Sequence, residues 1–169
     1  MIDDGPLGTM AQVFNDQWSW PTQTLHVLDA VARGARLDKS GRRAALLEWG
    51  QKTGAIVRHT VCIGSDAEAY LAEHLRPDST IATADLGEHE SIAWMRHEAD
   101  DDSMFVTVDK SAAYLALVEL GPSRIASPFD LWSQLTRTSC ITREDFELLC
   151  ERAQKAWNLR FPLRLREPA

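Results

Sequence analysis

MFVTVDKSAA, residues 104–113, is the stretch from which the rest of the chain is read. Met104, Phe105, Val106, Thr107 and Val108 run without polar alternation, the pattern of a strand buried on both faces, as strands in parallel sheets are. The run stops at Asp109, and a helix is predicted at once over residues 111–120. In open α/β sheets the carboxyl ends of the strands border the binding crevice, so a carboxylate there faces ligand. Asp109 is equally suited to capping the helix, a purely local role. The Ala112, Ala113, Leu115, Ala116, Leu117 and Val118 content predicts a largely buried helix beside a central strand.

Upstream, residues 11–14 read as a short strand ending at Asn15 and Asp16. Residues 24–33 read as a helix with Leu25, Leu28, Val31 and Ala32 on one stripe and Gly34 closing it. Ser40 is suited to capping a helix that runs to Gln51, and a strand is expected within 55–63. Ser65, Asp66, Ala67 and Glu68 make a capping box opening a helix to about Leu75. A weak strand over 80–84 and a helix over 87–98, with Ile92, Ala93 and Met95 inward, come next. Downstream of the opening stretch, a short strand is expected near 124–126, and Ser127 and Thr142 start the last two helices. Alternating helices and strands, with no internal repeat or long linker, call for a parallel sheet with helices on both faces.

The composition, 44% hydrophobic and 25% charged over 169 residues, suits one domain with one core, expected over 11–169. The start, MIDDGPLGTM, is acidic and rich in Gly and Pro, so residues 1–10 are expected to be a flexible lead-in, with Met10 as a second candidate start. No apolar stretch approaches the ~20 residues that span a bilayer, so no membrane partner is expected. Cys62, Cys140 and Cys150 lack C-x-x-C spacing, which points away from disulfides and zinc and toward a reducing cytoplasm.

A net charge of −7 argues against a general nucleic-acid coat. The charge is nonetheless uneven: Arg33, Arg36, Lys39, Arg42 and Arg43 cluster against only Asp38, whereas residues 85–102 carry seven acids against Arg96. A metal-holding cleft beside a basic rim has this pattern, and so do two solvated faces. His89 and His97 lie roughly 12 Å apart along a helix, too far to share an ion. Six tryptophans offer Trp18 and Trp20 for base stacking or for packing, and predict a homodimer or tight partner near the N-terminal helices.

Two segments resemble the PIN-domain family. LGEHESIAWM, residues 86–95, is similar to its Gly-Glu-x-Glu-(Ala/Ser)-Ile-Ala helix, and FVTVDKSAAYLALVELG, residues 105–121, is similar to the Val-Thr-x-Asp strand-helix unit that follows. The segment from Arg124 to about Glu151, with Thr142-Arg143-Glu144-Asp145-Phe146 in it, resembles the family's closing strand and helices. The likeness covers the second half of the chain and not the first. It implies a three-layer α/β/α sandwich with a central, mainly parallel sheet, and an Mg²⁺- or Mn²⁺-dependent endoribonuclease of the toxin type, with RNA as substrate and an antitoxin protein as partner.

By position, the resemblance matches Asp109 to the acid after the Val-Thr-x strand, Glu90 to the acid before the Ile-Ala face, and Asp16 to the first acid, with Asp29 a rival. The second acid falls to Asp66 or Glu68, and Glu68 already has a capping role. On this reading Asp16, Glu90 and Asp109 ligate metal, Asp66 is a ligand or positions water, and the basic run from Arg33 to Arg43 holds the phosphate backbone. The chemistry is coherent, since Mg²⁺ prefers hard oxygen ligands and can activate water for in-line attack on a phosphodiester. Crowded carboxylates raise one another's pKa until a cation relieves them. The alternative is a PIN-like module that binds or regulates without catalysis, because VFNDQWSWP lacks the small and aliphatic residues usual after the first acid.

Overall fold

Two apolar residues and an acid at the very start of the chain run through the middle of the strand array. The structure is a computed structural model and describes residues 1–20, 24–35, 39–76 and 86–158. Strand β1 (Leu25–Leu28) pairs in parallel with β2 (Ile56–His59), Leu25 opposite Ile56 and Leu28 opposite His59. Strand β3 (Phe105–Val106) pairs in parallel with β4 (Ile125–Ala126). Residues 1–3 lie between the pairs: the Ile2 N–H donates to the His26 carbonyl at 2.9 Å, the Asp3 N–H to the Val106 carbonyl at 3.0 Å, and the Val106 N–H to the Met1 carbonyl at 2.9 Å. Ile2 bridges Val106 in the parallel sense.

Residues 1–10 are therefore no flexible lead-in. Ile2 is fully buried, and Asp3 caps helix α1 (Asp4–Val13), which replaces the strand expected over 11–14. Leu7, Met10 and Ala11 recur at helical spacing and are buried, and this periodicity outweighs the glycines. Those glycines serve close approach. A Cβ on Gly5 would stand 2.6 Å from the Val108 side chain, and one on Gly8 would meet the Arg43 guanidinium.

The helix expected over 24–33 is instead β1 followed by helix α2 (Asp29–Ala35), because Leu25, Val27 and Leu28 are buried on both faces of the strand pair. Helix α3 (Arg42–Thr53) follows and ends at Gly54, whose φ of 77° is the left-handed conformation that suits glycine at a helix end. Helix α4 (Asp66–Tyr70) runs on into a π-helical turn, Leu71–Leu75. The strand expected over 80–84 lies outside the described residues. Helix α5 (Leu86–His97) buries Ile92, Ala93 and Met95 as expected.

The residues quoted first behave in part as expected. Phe105, Val106 and Thr107 are buried, but the paired strand is only two residues long. Helix α6 (Lys110–Leu120) departs further: Ala112 and Ala116 are buried, while Tyr114 and Val118 are 71% and 65% exposed. Small side chains four apart let α6 approach α5 on a narrow stripe, which turns its larger apolar residues outward. Helices α7 (Pro128–Arg137) and α8 (Arg143–Trp157) both begin with capping boxes, at Ser127/Asp130 and Thr142/Asp145.

The chain is thus mixed α/β, mainly helical with short parallel strands. Among the described residues two apolar clusters form. One joins Ile2, Leu25, Val27 and Ile56 to α1, α3, α7 and α8, and the other joins Leu28 and Phe105 to α5 and α6. Among the described residues no helix is long and apolar enough to cross a membrane.

Candidate functional site

Asp3 and Asp109 follow the ends of neighbouring parallel segments, and each then caps a helix. Asp3 Oδ1 accepts the Asp4 N–H at 2.7 Å; Asp109 Oδ1 accepts the Ser111 and Ala112 N–H groups at 2.7 and 3.0 Å. The Thr107 hydroxyl ties the two together, donating to Asp3 Oδ2 at 2.7 Å and accepting the Asp109 N–H at 3.0 Å. Asp3 is only 5% exposed, whereas Asp109 is open to solvent. Burial pushes the Asp3 carboxyl above its ordinary pKa, and the charges of Asp4 and Asp109 push the same way, against the Thr107 hydroxyl and the Asp4 N–H.

A second group of charges gathers where β1 and β2 end. Asp29 accepts Arg58 Nε and Nη2 at 3.2 and 2.7 Å and the Thr60 hydroxyl at 2.9 Å. Burial is the largest single influence on Asp29 and acts upward, but Thr60, Arg58 and Arg33 together hold its carboxyl below the usual range. Glu90, in the first half of α5, is half-buried and accepts the Ala30 N–H. Burial and then the Asp29 charge raise its pKa against the pull of Arg33 and Arg76. Helix α2 links the two groups, because a Cβ on Gly34 would stand 3.7 Å from Asp4 Oδ1 and Gly87 of α5 packs on Val31.

The four acids expected to converge do not. Asp16 sits in an exposed turn beyond the far end of α1, roughly 15 Å of helix from Asp3. Asp66 is exposed on α4; the Glu68 N–H bonds the Ser65 hydroxyl as expected, but the Glu68 carboxylate accepts the Gly64 N–H at 2.9 Å rather than closing the box on Ser65, whose N–H bonds the Cys62 carbonyl. Glu90 keeps company with Asp29, Arg33 and Arg76. Among the described residues no group of three or more His, Cys, Asp or Glu is placed to hold a metal ion.

The basic run is divided. Arg43 pairs with Asp4, and Arg42 donates to the Gln12 carbonyl at 2.9 Å, so both brace α1. Arg33 and Lys39 are exposed, and Arg36 lies outside the described residues. Trp18 is no open stacking platform: it is buried, and its indole N–H donates to Asp145 at 3.0 Å. Trp20 and Trp49 pack edge to face with centroids 6.1 Å apart. His97 packs against Tyr70 at a tilt, with centroids 5.0 Å apart.

Asp3 is the residue that sequence reasoning passed over. Its signal was present, since Met1-Ile2-Asp3 before a helix is a shortened copy of the apolar run that ends at Asp109. Two residues are too few to register as periodicity. Comparison with protein-family models, curated proteins and solved structures gives no match.

Proposed function

We propose that the chain is a metal-dependent ribonuclease of the PIN type whose first acid is Asp3 rather than Asp16. The observation that carries the reading is the Asp3–Thr107–Asp109 arrangement: two acids after adjacent strand ends, one of them buried, with one hydroxyl linking the Asp3 carboxylate to the Asp109 backbone N–H. The lateral order β2, β1, residues 1–3, β3, β4, with an apolar cluster against each set of helices, supports a three-layer α/β/α sandwich around a central parallel sheet.

The donor set fits a hard divalent cation. Mg²⁺ keeps several waters and takes further oxygens from a phosphate substrate, so two protein carboxylates suffice where a closed cage would need more. When bound, the cation supplies charge neutralisation on the phosphate and an activated water. The chain's own residues do the positioning: Thr107 fixes the Asp3 carboxylate, the first turn of α6 fixes Asp109, and exposed Arg33 and Lys39 attract phosphate. RNA is the substrate on this reading, with an antitoxin or a second copy as protein partner.

A catalytically silent PIN-like module is the second reading, and it is favoured by the lack of a three-acid group among the described residues. Cleavage of mixed RNA by wild type, Asp3→Asn and Asp109→Asn, each with Mn²⁺ or with EDTA, separates the two. The nuclease reading expects Mn²⁺-dependent cleavage by wild type alone. Wild type that cuts no RNA while still binding it supports the module.

A further inference from the structure

One turn along α5 from Glu90, on the same face, lies Trp94, and against it stand two histidines from neighbouring strands. His26 Nδ1 and His59 Nε2 are 2.7 Å apart, the ring planes lie within 22° of each other with centroids 4.9 Å apart, and Trp94 packs against them at 5.8 and 4.1 Å. His59 is flanked in sequence by Arg58 and Thr60, the two residues that hold Asp29. Asp29 in turn shares the surroundings of Glu90. The stack is therefore the layer next to the charged group at the ends of β1 and β2.

We propose that His26, His59 and Trp94 form a proton-operated clasp, closed while the imidazoles share a hydrogen bond and opened when both are protonated, which holds the Arg58–Asp29–Thr60 bracket in place. The proton count gives the mechanism. In the neutral pair one ring nitrogen donates and the other accepts. One added proton still leaves an acceptor, because the unprotonated ring can present its bare nitrogen. A second proton sets two N–H groups against each other across 2.7 Å, and the contact must separate. β2 is held by β1 on one side only among the described residues, so it is the element that moves.

The groups facing the pair support a neutral resting state. From residues 1–3 the Met1 amino group, whose own pKa burial and then Arg124 lower from 8.0 to about 5, disfavours protonation once it is itself charged; from the loop after α5 Asp100 favours it; α5 presents the uncharged indole of Trp94. Burial, then the Met1 amino group and His59, lower the pKa of His26 from 6.5 to about 4, and burial and the Met1 amino group lower that of His59.

The test is an NMR titration of the full chain from pH 8 to 4, following the ring protons of His26 and His59, the Trp94 indole N–H and amide exchange in β2. Two ring-titration steps at least about one pH unit apart are expected, with Trp94 and β2 changing only at the lower one. In His59→Gln, whose amide still pairs with His26 and does not titrate, Trp94 and β2 should stay unchanged through the pH at which wild type opens. Changes that track the first step, or no change at Trp94 across both steps, overturn the clasp. So does His59→Gln opening at the wild-type pH; if that variant fails to fold, the wild-type titration decides alone.

Discussion

Asp3 and Asp29 both follow a strand at the same edge of the molecule, and the protein treats their charges in opposite ways. Asp29 receives a guanidinium and a hydroxyl, and its ionised form is favoured. Asp3 receives a hydroxyl and an amide, sits near two other carboxylates, and its ionised form is disfavoured. Carboxylates of the same chemistry at equivalent positions in α/β units thus become a finished structural bracket in one place and an unfinished charge in the other. An acid left uncompensated in a packed protein costs stability, and such groups gather at functional sites.

The largest effect that could break this contrast is on activity. Asp109→Asn keeps the capping oxygen for α6 and removes a charge beside Asp3, so under the proposed nuclease reading Mn²⁺-dependent RNA cleavage should fall about 100-fold while the thermal midpoint holds. Unchanged cleavage with EDTA-sensitive activity intact would remove Asp109 from the site. Gly5→Ala comes next. Its Cβ would press into Val108 and approach Trp157 at 3.4 Å, wedging α1 from the segment that joins β3 to Asp109. A loss of about 1–3 kcal/mol in denaturant unfolding is expected, as for an overpacked core.

The compensated acid gives a smaller and purely structural effect. Arg58→Met strips Asp29 of its cation in a partly exposed setting, which should cost about 1–2 kcal/mol, between the values for surface and buried pairs. The cation affinity that the proposed reading assigns to Asp3 should not change. Smallest of all is Asp16→Asn, in an exposed turn, expected within about 0.5 kcal/mol of wild type and without effect on cation binding.

Much of the second half of the chain was legible because its signals are local and long. Ser127 and Thr142 announced two helix starts, and Ile92, Ala93 and Met95 announced the inner face of α5. The first half hid its architecture in short elements. His26 between Leu25 and Val27 suits a strand or a helix equally, and only burial from both sides decides it. Gly5 and Gly8 read as flexibility when their role is contact distance. Tyr114 and Val118 read as core and proved to be surface, because two alanines suffice to seat α6. At the site, Asp109 was legible from its own strand, while its neighbour Asp3 depends on a pairing across more than a hundred residues.

The direct test of the uncompensated acid is a calorimetric titration of Mn²⁺ into wild type and Asp3→Asn at pH 7, with thermal unfolding of both. The Asp3 pKa is raised on folding, so its ionised form costs stability at neutral pH, and the cost fades as pH falls through the raised value toward 3.8. Asn at this position keeps the oxygen that accepts the Asp4 N–H, can turn its amide N–H toward the Thr107 hydroxyl oxygen, and removes the charge. The account predicts saturable Mn²⁺ binding by wild type that weakens with acid above the ordinary carboxylate range, and a variant that binds no Mn²⁺ yet melts at the same or a higher temperature. Equal Mn²⁺ binding by both proteins, or a variant clearly less stable than wild type at pH 7, would contradict it.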